Sequence, residues 1–463
     1  MALIRASAPL TRELARLFPS RPFHSRFWDG GSVAATEPGS PTFFVRRPSA
    51  LAHFLRAPSS LGLGRAYVEG SLAVDDLDLA FVVVDEWQPP ELSRADRLRL
   101  GLALAAAAAP GGWPRRPGLE LILRGGLHSV ERDAAAVRYH YDVGNEFFEL
   151  FLDESMTYSC AIFSRGARTL EEAQLTKLEL VARKLELEPG MRVLDVGCGW
   201  GSFAIHAARD HGVSVTGVTL SPPQAELARR RAAEAGVAER VEILVADYRR
   251  LPRSSFDAIA SIGMAEHVGE GQIDLYARSL FALLRPGGRL LNHAIAALDP
   301  DHKPLDDIFS TRYVFPDGEP LPVSRVLLAL ERAGFETKHV EGFRDDYAVT
   351  LRRWSERLDR QLPRAEALAG AERTRIWRLY LRAARRGFET SHTAVYQVGA
   401  RREGAPTQEQ EREQASAARD GRLPAEDGYQ PSWGAADQAP AGGVQSRLAR
   451  QGSSRSRAAG VRR

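Results

Sequence analysis

The run VLDVGCGWG at residues 193–201 decides the fold. Val193-Leu194-Asp195-Val196 reads as the carboxyl end of a buried strand over 191–196. Glycines 197, 199 and 201 form a loop, and 202–209 then reads as a helix. Glycines at such a bend let the backbone approach a ligand closely and take φ values other residues avoid. Upstream, Thr169-x-x-Glu172 is a capping-box signature, and Leu178, Val181 and Leu185 mark one helical face until Pro189-Gly190 stops it. Downstream, strands over 213–218, 241–245, 256–262 and 289–296 alternate with helices over 222–235 and 272–284. That alternation predicts an α/β fold with a parallel sheet covered on both faces. Ligands of such sheets bind beyond the carboxyl ends of the strands, and every candidate residue below falls there.

The composition excludes several classes of function. The chain has 463 residues, with 62 Lys+Arg against 59 Asp+Glu and a net charge of +3. This balance argues against a nucleic-acid partner held by bulk electrostatics. The two cysteines, Cys160 and Cys198, have a spacing no zinc site uses, so neither a disulfide scaffold nor a metal site is expected, and the compartment reads as reducing. Only Lys177, Lys184, Lys303 and Lys338 among the basic residues are lysines. Genomic base composition is the simplest cause of that arginine bias. The most apolar run, 100–109, is about half of the ~20 residues a spanning helix needs, and the N-terminus reads as a helix over 10–18.

Three regions separate by composition: 1–125, 126–400, and a tail over 401–463 whose few large apolar residues predict disorder. Its basic tip (Arg455, Arg457, Arg462, Arg463) reads as solvated.

A glycine-rich turn alone does not separate cofactors. Here the spacing is GxGxG rather than GxGxxG, and the second strand ends in Thr219-Leu220-Ser221 rather than in the acidic residue a nicotinamide ribose would require. With Asp195 in the first strand and Asp247 after the third, the arrangement resembles the S-adenosylmethionine-dependent methyltransferase fold. That resemblance implies a Rossmann-like class I domain with a mostly parallel seven-stranded sheet and helices on both faces. The helix N-terminus would face the methionine carboxylate. Cys198 reads as a small buried spacer.

A narrower resemblance covers about 139–398. The segments YHYDVGNEFFELFLDESMTYSCAIF (139–163), VLDVGCGWG (193–201), TLSPPQ (219–224), MAEHVG (264–269), LNHAI (291–295), YVFPDGEPLP (313–322) and DDYAVTLRRW (345–354) look like the cyclopropane-fatty-acyl-phospholipid synthase family, which includes the mycolic acid cyclopropane synthases. RFWDG (26–30), PTFFVRRPSAL (41–51) and LGLGRAYVEG (61–70) resemble the N-terminal part of its longer bacterial members. That part would be a smaller α+β lipid-presenting domain.

The resemblance implies attack of a cis alkene in a phospholipid acyl chain on the sulfonium methyl, with bicarbonate as the base for ring closure. By motif matching, the bicarbonate ligands are Cys160, Glu266, His293, Ile295 through its backbone, and Tyr347. A raised pKa or a bridging proton is expected at Glu266. The implied cofactor contacts are Tyr158, Ser159, the stretch with Val193, Asp195, Gly197, Cys198, Gly199, Trp200 and Gly201, then Thr219, Leu220, Ser221, Gln224, Asp247 and Tyr248. Asp247 is expected to meet the adenine amino group. Tyr141, Phe163, Trp200, Tyr313 and Phe315 are candidates to face a cation, though core packing explains most of them as well.

The segment YLRAARRGF (380–388) has Ala383 and Ala384 where many members carry a cysteine. The expected partner is membrane phospholipid, reached by peripheral docking on the cytoplasmic inner face, with a possible homodimer. Helices near 100–109 or 145–152 could dock, although ordinary core is the favoured reading of both. Rival readings are a methyl- or methylene-branching enzyme, a small-molecule methyltransferase, and a lipid-binding module with a degenerate core.

Overall fold

The computed structural model describes residues 5–112, 114–121, 126–141, 143–252, 255–299 and 309–404. The tail beyond 404 lies outside the described residues, including the four arginines of its tip.

The N-terminal region builds a small sheet from β1 (His24–Phe27), β2 (Ser32–Val33), β3 (Thr42–Val45) and β4 (Leu72–Val74), in the order β2-β1-β3-β4. The expected first helix is Ala8–Leu17. Leu10, Phe27, Val45, Ala66, Leu72 and Ala107 share one apolar core. The helix Arg94–Ala108 turns Ala103 and Ala107 into that core and leaves Leu98 and Leu102 exposed. The run 145–152 is interior, with Phe147, Phe148 and Phe151 fully buried.

The large sheet adds β5 (Arg192–Val196), β6 (Ser214–Thr219), β7 (Val241–Val245), β8 (Phe256–Ile262), β9 (Leu284–Ala297), β10 (Phe335–Gly342) and β11 (Thr393–Arg402). Its order is β10-β11-β9-β8-β5-β6-β7. β9, β8, β5, β6 and β7 are parallel, and β11 and β10 run antiparallel at one edge. The order reverses at β5, so the glycine turn leaves the sheet at its topological switch point. The five strands expected from sequence are all present, within a few residues of their expected ends. The capping box is also complete: Thr169 Oγ1 accepts from the Glu172 N–H, and Glu172 Oε2 accepts from the Thr169 N–H, each at 3.2 Å.

One boundary is corrected. Arg401 and Arg402 belong to β11 rather than to the tail. Arg402 pairs with Phe335 in the ladder, and its guanidinium donates to the carbonyls of Phe281 and Leu284, which ties the strand end down.

The two regions meet along the helix Leu362–Glu389. Arg375 donates to the carbonyl of Val68 at 2.8 Å, and Arg382 and Arg385 both donate to Asp78, at 3.0 and 2.8 Å. The arginines of YLRAARRGF thus serve as a docking seam. Gly64 of LGLGRAYVEG permits another close contact, because a Cβ there would stand 2.4 Å from the Phe309 ring.

Beneath this seam, Arg65 forms a two-pronged bond with Glu120 at 2.8 and 2.6 Å, their side chains only 6% and 1% exposed. Breaking a buried pair from one side strands a charge. Arg65→Met is therefore expected to destabilise the chain by about 3–5 kcal/mol in urea titration, with most of the loss recovered in the Arg65→Met, Glu120→Gln double variant. Equal losses in both would show that the stranded Glu120 charge is not what destabilises the chain.

Candidate functional site

After Val196 the chain turns through Gly197, Gly199 and Gly201, at φ 78°, 53° and 80°, into the helix Ser202–His211. Only glycine takes such angles without strain. Gly197 and Gly199 line a cavity of about 740 Å³ together with Thr219 and Leu220 at the end of β6, Gln224 in the helix that follows, and Asp247 and Tyr248 beyond β7. These seven expected cofactor residues therefore meet at one cavity, which Tyr141, Met264 and His267 close from other segments.

The remaining expected cofactor residues support this cavity or lie beside it. Val193 is core. Cys198 packs beneath the turn, its sulfur 3.0 Å from where a Cβ on Gly217 would stand, and burial pushes its thiol pKa well up. That is the spacer role expected of it. Gly201 caps the helix start, and Ser221 caps the helix Pro222–Glu234 by accepting from the Gln224 N–H. Trp200 donates to Asn145 Oδ1 at 2.7 Å and packs on Phe148, while Tyr158 stacks on Trp354.

Asp195 is buried behind the turn, and burial raises its pKa to about 7. The cation opposing that shift is Lys177, which sequence reading missed. Lys177 is 1% exposed, and its Nζ donates to Ser159 Oγ at 2.9 Å. Burial lowers its pKa to about 8 against the pull of Asp153, Cys160 and Asp195. One buried ammonium thus bonds the Tyr158–Cys160 segment and acts as an opposing charge on Asp195. Asp247 has a second unforeseen partner, Arg249, which bonds its carboxylate at 2.9 and 2.6 Å and reaches Asp133 at 2.9 Å.

The expected catalytic set comes from four separate segments. Glu266 lies on the short turn Ala265–His267, and its Oε1 accepts the Ile295 N–H at 2.7 Å. Its Oε2 is buried without a hydrogen-bond partner. Burial raises the Glu266 pKa to about 7, as the resemblance implied. His293 lies two residues before Ile295 on β9, hence on the same face. Lys184 donates to Gln397 Oε1 at 2.7 Å, so the Gln397 amide nitrogen is the atom 3.2 Å from His293 Nδ1. This network assigns the imidazole proton to Nε2, which is buried and unpartnered. Burial lowers the His293 pKa to about 3, so the ring is neutral.

Cys160 is fully buried and burial raises its pKa, so it is a thiol and not a thiolate. Tyr347 completes the set within electrostatic reach of Cys160 and Glu266, its ring 4.6 Å from Phe388. Among the aromatic candidates, Tyr141 lines the cavity and meets Trp200 edge-on at 5.6 Å. Phe163 packs against the main core, Tyr313 stacks on Phe309, and Phe315 stacks on His267.

The sequence profile of the mycolic acid cyclopropane synthetase family matches residues 128–398. The chain belongs to this family. It is an S-adenosylmethionine-dependent methyltransferase with the class I fold. It is 38% identical over 378 residues to the "Probable fatty acid methyltransferase Rv3720" of Mycobacterium tuberculosis, covering 80% of this chain and 88% of the relative. It is 34% identical to the cyclopropane-fatty-acyl-phospholipid synthase of Escherichia coli K12, with the same coverage. A crystal structure of mycolic acid cyclopropane synthase CmaA1 complexed with SAH and CTAB superimposes with a TM-score of 0.55 at 33% identity, covering 58% of this chain and 98% of that one.

Proposed function

We propose that this member of the family transfers the methyl group of S-adenosylmethionine to a cis double bond of an unsaturated phospholipid acyl chain and closes a cyclopropane ring. The observation that carries the reading is the set of buried Cys160, Glu266 and His293 beside partly buried Tyr347, in which Glu266 Oε2 and the His293 Nε2–H have no partner. Unmet polar atoms in so dry a place are costly unless something small and polar satisfies them. A neutral imidazole donor, a thiol, a tyrosine hydroxyl and a carboxyl half-protonated near pH 7 suit bicarbonate, which would supply a base for the proton lost in ring closure.

S-adenosylmethionine supplies an electrophilic methyl, and the chain's own residues do the rest. The glycine turn, Thr219 and Gln224 orient the cofactor. An alkene is a weak nucleophile, so the aromatic walls must exclude water and hold the reacting atoms together. The face of Tyr141 offers stabilisation to positive charge developing on the acyl chain. Cys160, Glu266 and His293 hold the base. Peripheral docking on the cytoplasmic membrane face and a homodimer belong to the same reading. No helix among the described residues is long and apolar enough to cross a membrane. The relative named a fatty acid methyltransferase favours a second reading, a methyl- or methylene-branched product on the same lipid.

Incubating the chain with unsaturated phospholipid vesicles, bicarbonate and methyl-deuterated S-adenosylmethionine distinguishes these outcomes. Mass spectrometry is expected to find two deuteriums retained and a cyclopropane fragmentation pattern. A branched product would select the second reading, and absence of lipid label despite cofactor binding would refute both.

A further inference from the structure

Behind the cofactor turn, the helices Leu170–Lys184 and Ser202–His211 pack together and bring three potential ligand atoms to one point. Glu179 Oε2 lies 3.0 Å from His211 Nε2 and 3.5 Å from His206 Nε2, and all three donors fall within 4.8 Å of one another. We propose that Glu179, His206 and His211 bind a zinc ion. Zinc held tetrahedrally at about 2.0–2.1 Å keeps its ligand atoms roughly 3.3 Å apart, close to the two distances from Glu179.

The surroundings support an ion rather than a simple ion pair. His206 is 4% exposed, and its Nε2 is buried with no hydrogen-bond partner. Its Nδ1 lies 2.7 Å from Asp210 Oδ2. That contact lacks hydrogen-bond geometry, so Nδ1, like Nε2, is a buried nitrogen without a hydrogen bond, and Asp210 acts on the ring only as a nearby negative charge. Asp210 is itself held by Arg209 at 2.9 and 2.8 Å, and Arg183 engages the other oxygen of Glu179 at 2.7 Å, leaving Oε2 to face the histidines. His206 also lines a groove open to solvent, and Glu179 and His211 are partly exposed. Two imidazoles and one carboxylate suit zinc better than magnesium or calcium.

The site would clamp the far end of the helix that begins at Gly201 and so brace the cofactor turn from behind. It departs from the expectation of no metal, which rested on the cysteines; these ligands come from two helices.

Equilibrium dialysis of the tag-free, chelator-stripped full chain against zinc chloride tests the proposal. One equivalent is expected to bind, with a raised thermal unfolding midpoint, and cobalt in its place is expected to give the intense visible bands of tetrahedral coordination. Glu179→Gln and His211→Gln, at partly exposed positions, are expected to weaken zinc binding at least tenfold while far-UV circular dichroism and S-adenosylhomocysteine binding persist. Zinc bound no more tightly by the wild type than by these variants would overturn the proposal, and so would an octahedral cobalt spectrum. Because the ligand is the metal alone, the result is independent of the lipid reading.

Discussion

Glu266→Gln is expected to abolish transfer of methyl label to lipid and, in the same protein, to make the fold more stable at pH 8. The first effect follows from position. Glu266 is the only carboxyl group in the expected catalytic set, and removing a group that positions or stabilises a base costs roughly 10²–10⁴-fold in rate. The second follows from burial, which raises its pKa from 4.5 to about 7. Below pH 4.5 the group is protonated in both folded and unfolded chains and costs nothing. As pH rises from there the unfolded chain ionises freely while the fold retains the proton, so stability drains away until the pH passes about 7. At 1.36 kcal/mol per pKa unit the drain is on the order of 3 kcal/mol. Glutamine keeps the size and can still accept the Ile295 N–H through its amide oxygen, but it has no proton to lose. Asp195, whose pKa is also raised to about 7, drains stability over much the same window in both proteins, so comparing them isolates Glu266. Urea titrations at pH 5 and pH 8 are expected to show the variant gaining on the wild type at the higher pH. Parallel pH dependence would mean that Glu266 is not held protonated by its surroundings, whatever happened to activity.

How far the sequence could be read depended on where each element's partners lie along the chain. β5 to β9 were legible because strands buried on both faces are continuous apolar runs bounded by turn signals. β10 was not, because it is an edge strand that buries only Phe335 and otherwise carries charges such as Glu336, Lys338 and Glu341. β11 was missed because its apolar residues are interrupted by Gln397 and Gly399 and lead into Arg401 and Arg402. The cost of missing it is specific, since Gln397 sets the tautomer of His293. The cofactor turn was legible down to its individual glycines, because positive φ leaves a signature in residue type. The charges behind it were not: nothing local to Asp195 announces Lys177, and nothing local to Asp247 announces the link through Arg249 to Asp133. One signal was present in the composition. In a chain with four lysines among 62 basic residues, Lys177 and Lys184 fall seven apart on one helix, two turns along the face that Leu178 and Val181 bury.

That face makes Lys177 the place where the fold and the cofactor site are most tightly tied. Its ammonium serves Ser159 directly and is the opposing charge that acts on Asp195, while Asp153 also lies within its electrostatic reach. Lys177→Met fills the same space with an apolar chain and removes the cation acting on Asp195. Uncompensated buried charge is expected to destabilise the chain by about 3–5 kcal/mol. A purely structural lysine would give that result and no other. If Lys177 also positions the cofactor turn through Asp195, two further results are expected. Affinity for S-adenosylhomocysteine, measured by calorimetry on protein kept well below its unfolding transition, falls at least tenfold. Adding Asp195→Asn to Lys177→Met returns much of the stability, because the stranded charge is gone, yet leaves the affinity low, because neither group remains to hold the turn. Recovery of affinity along with stability would reduce Lys177 to a counter-ion for the fold, and unchanged affinity in the single variant would disconnect it from the cofactor altogether.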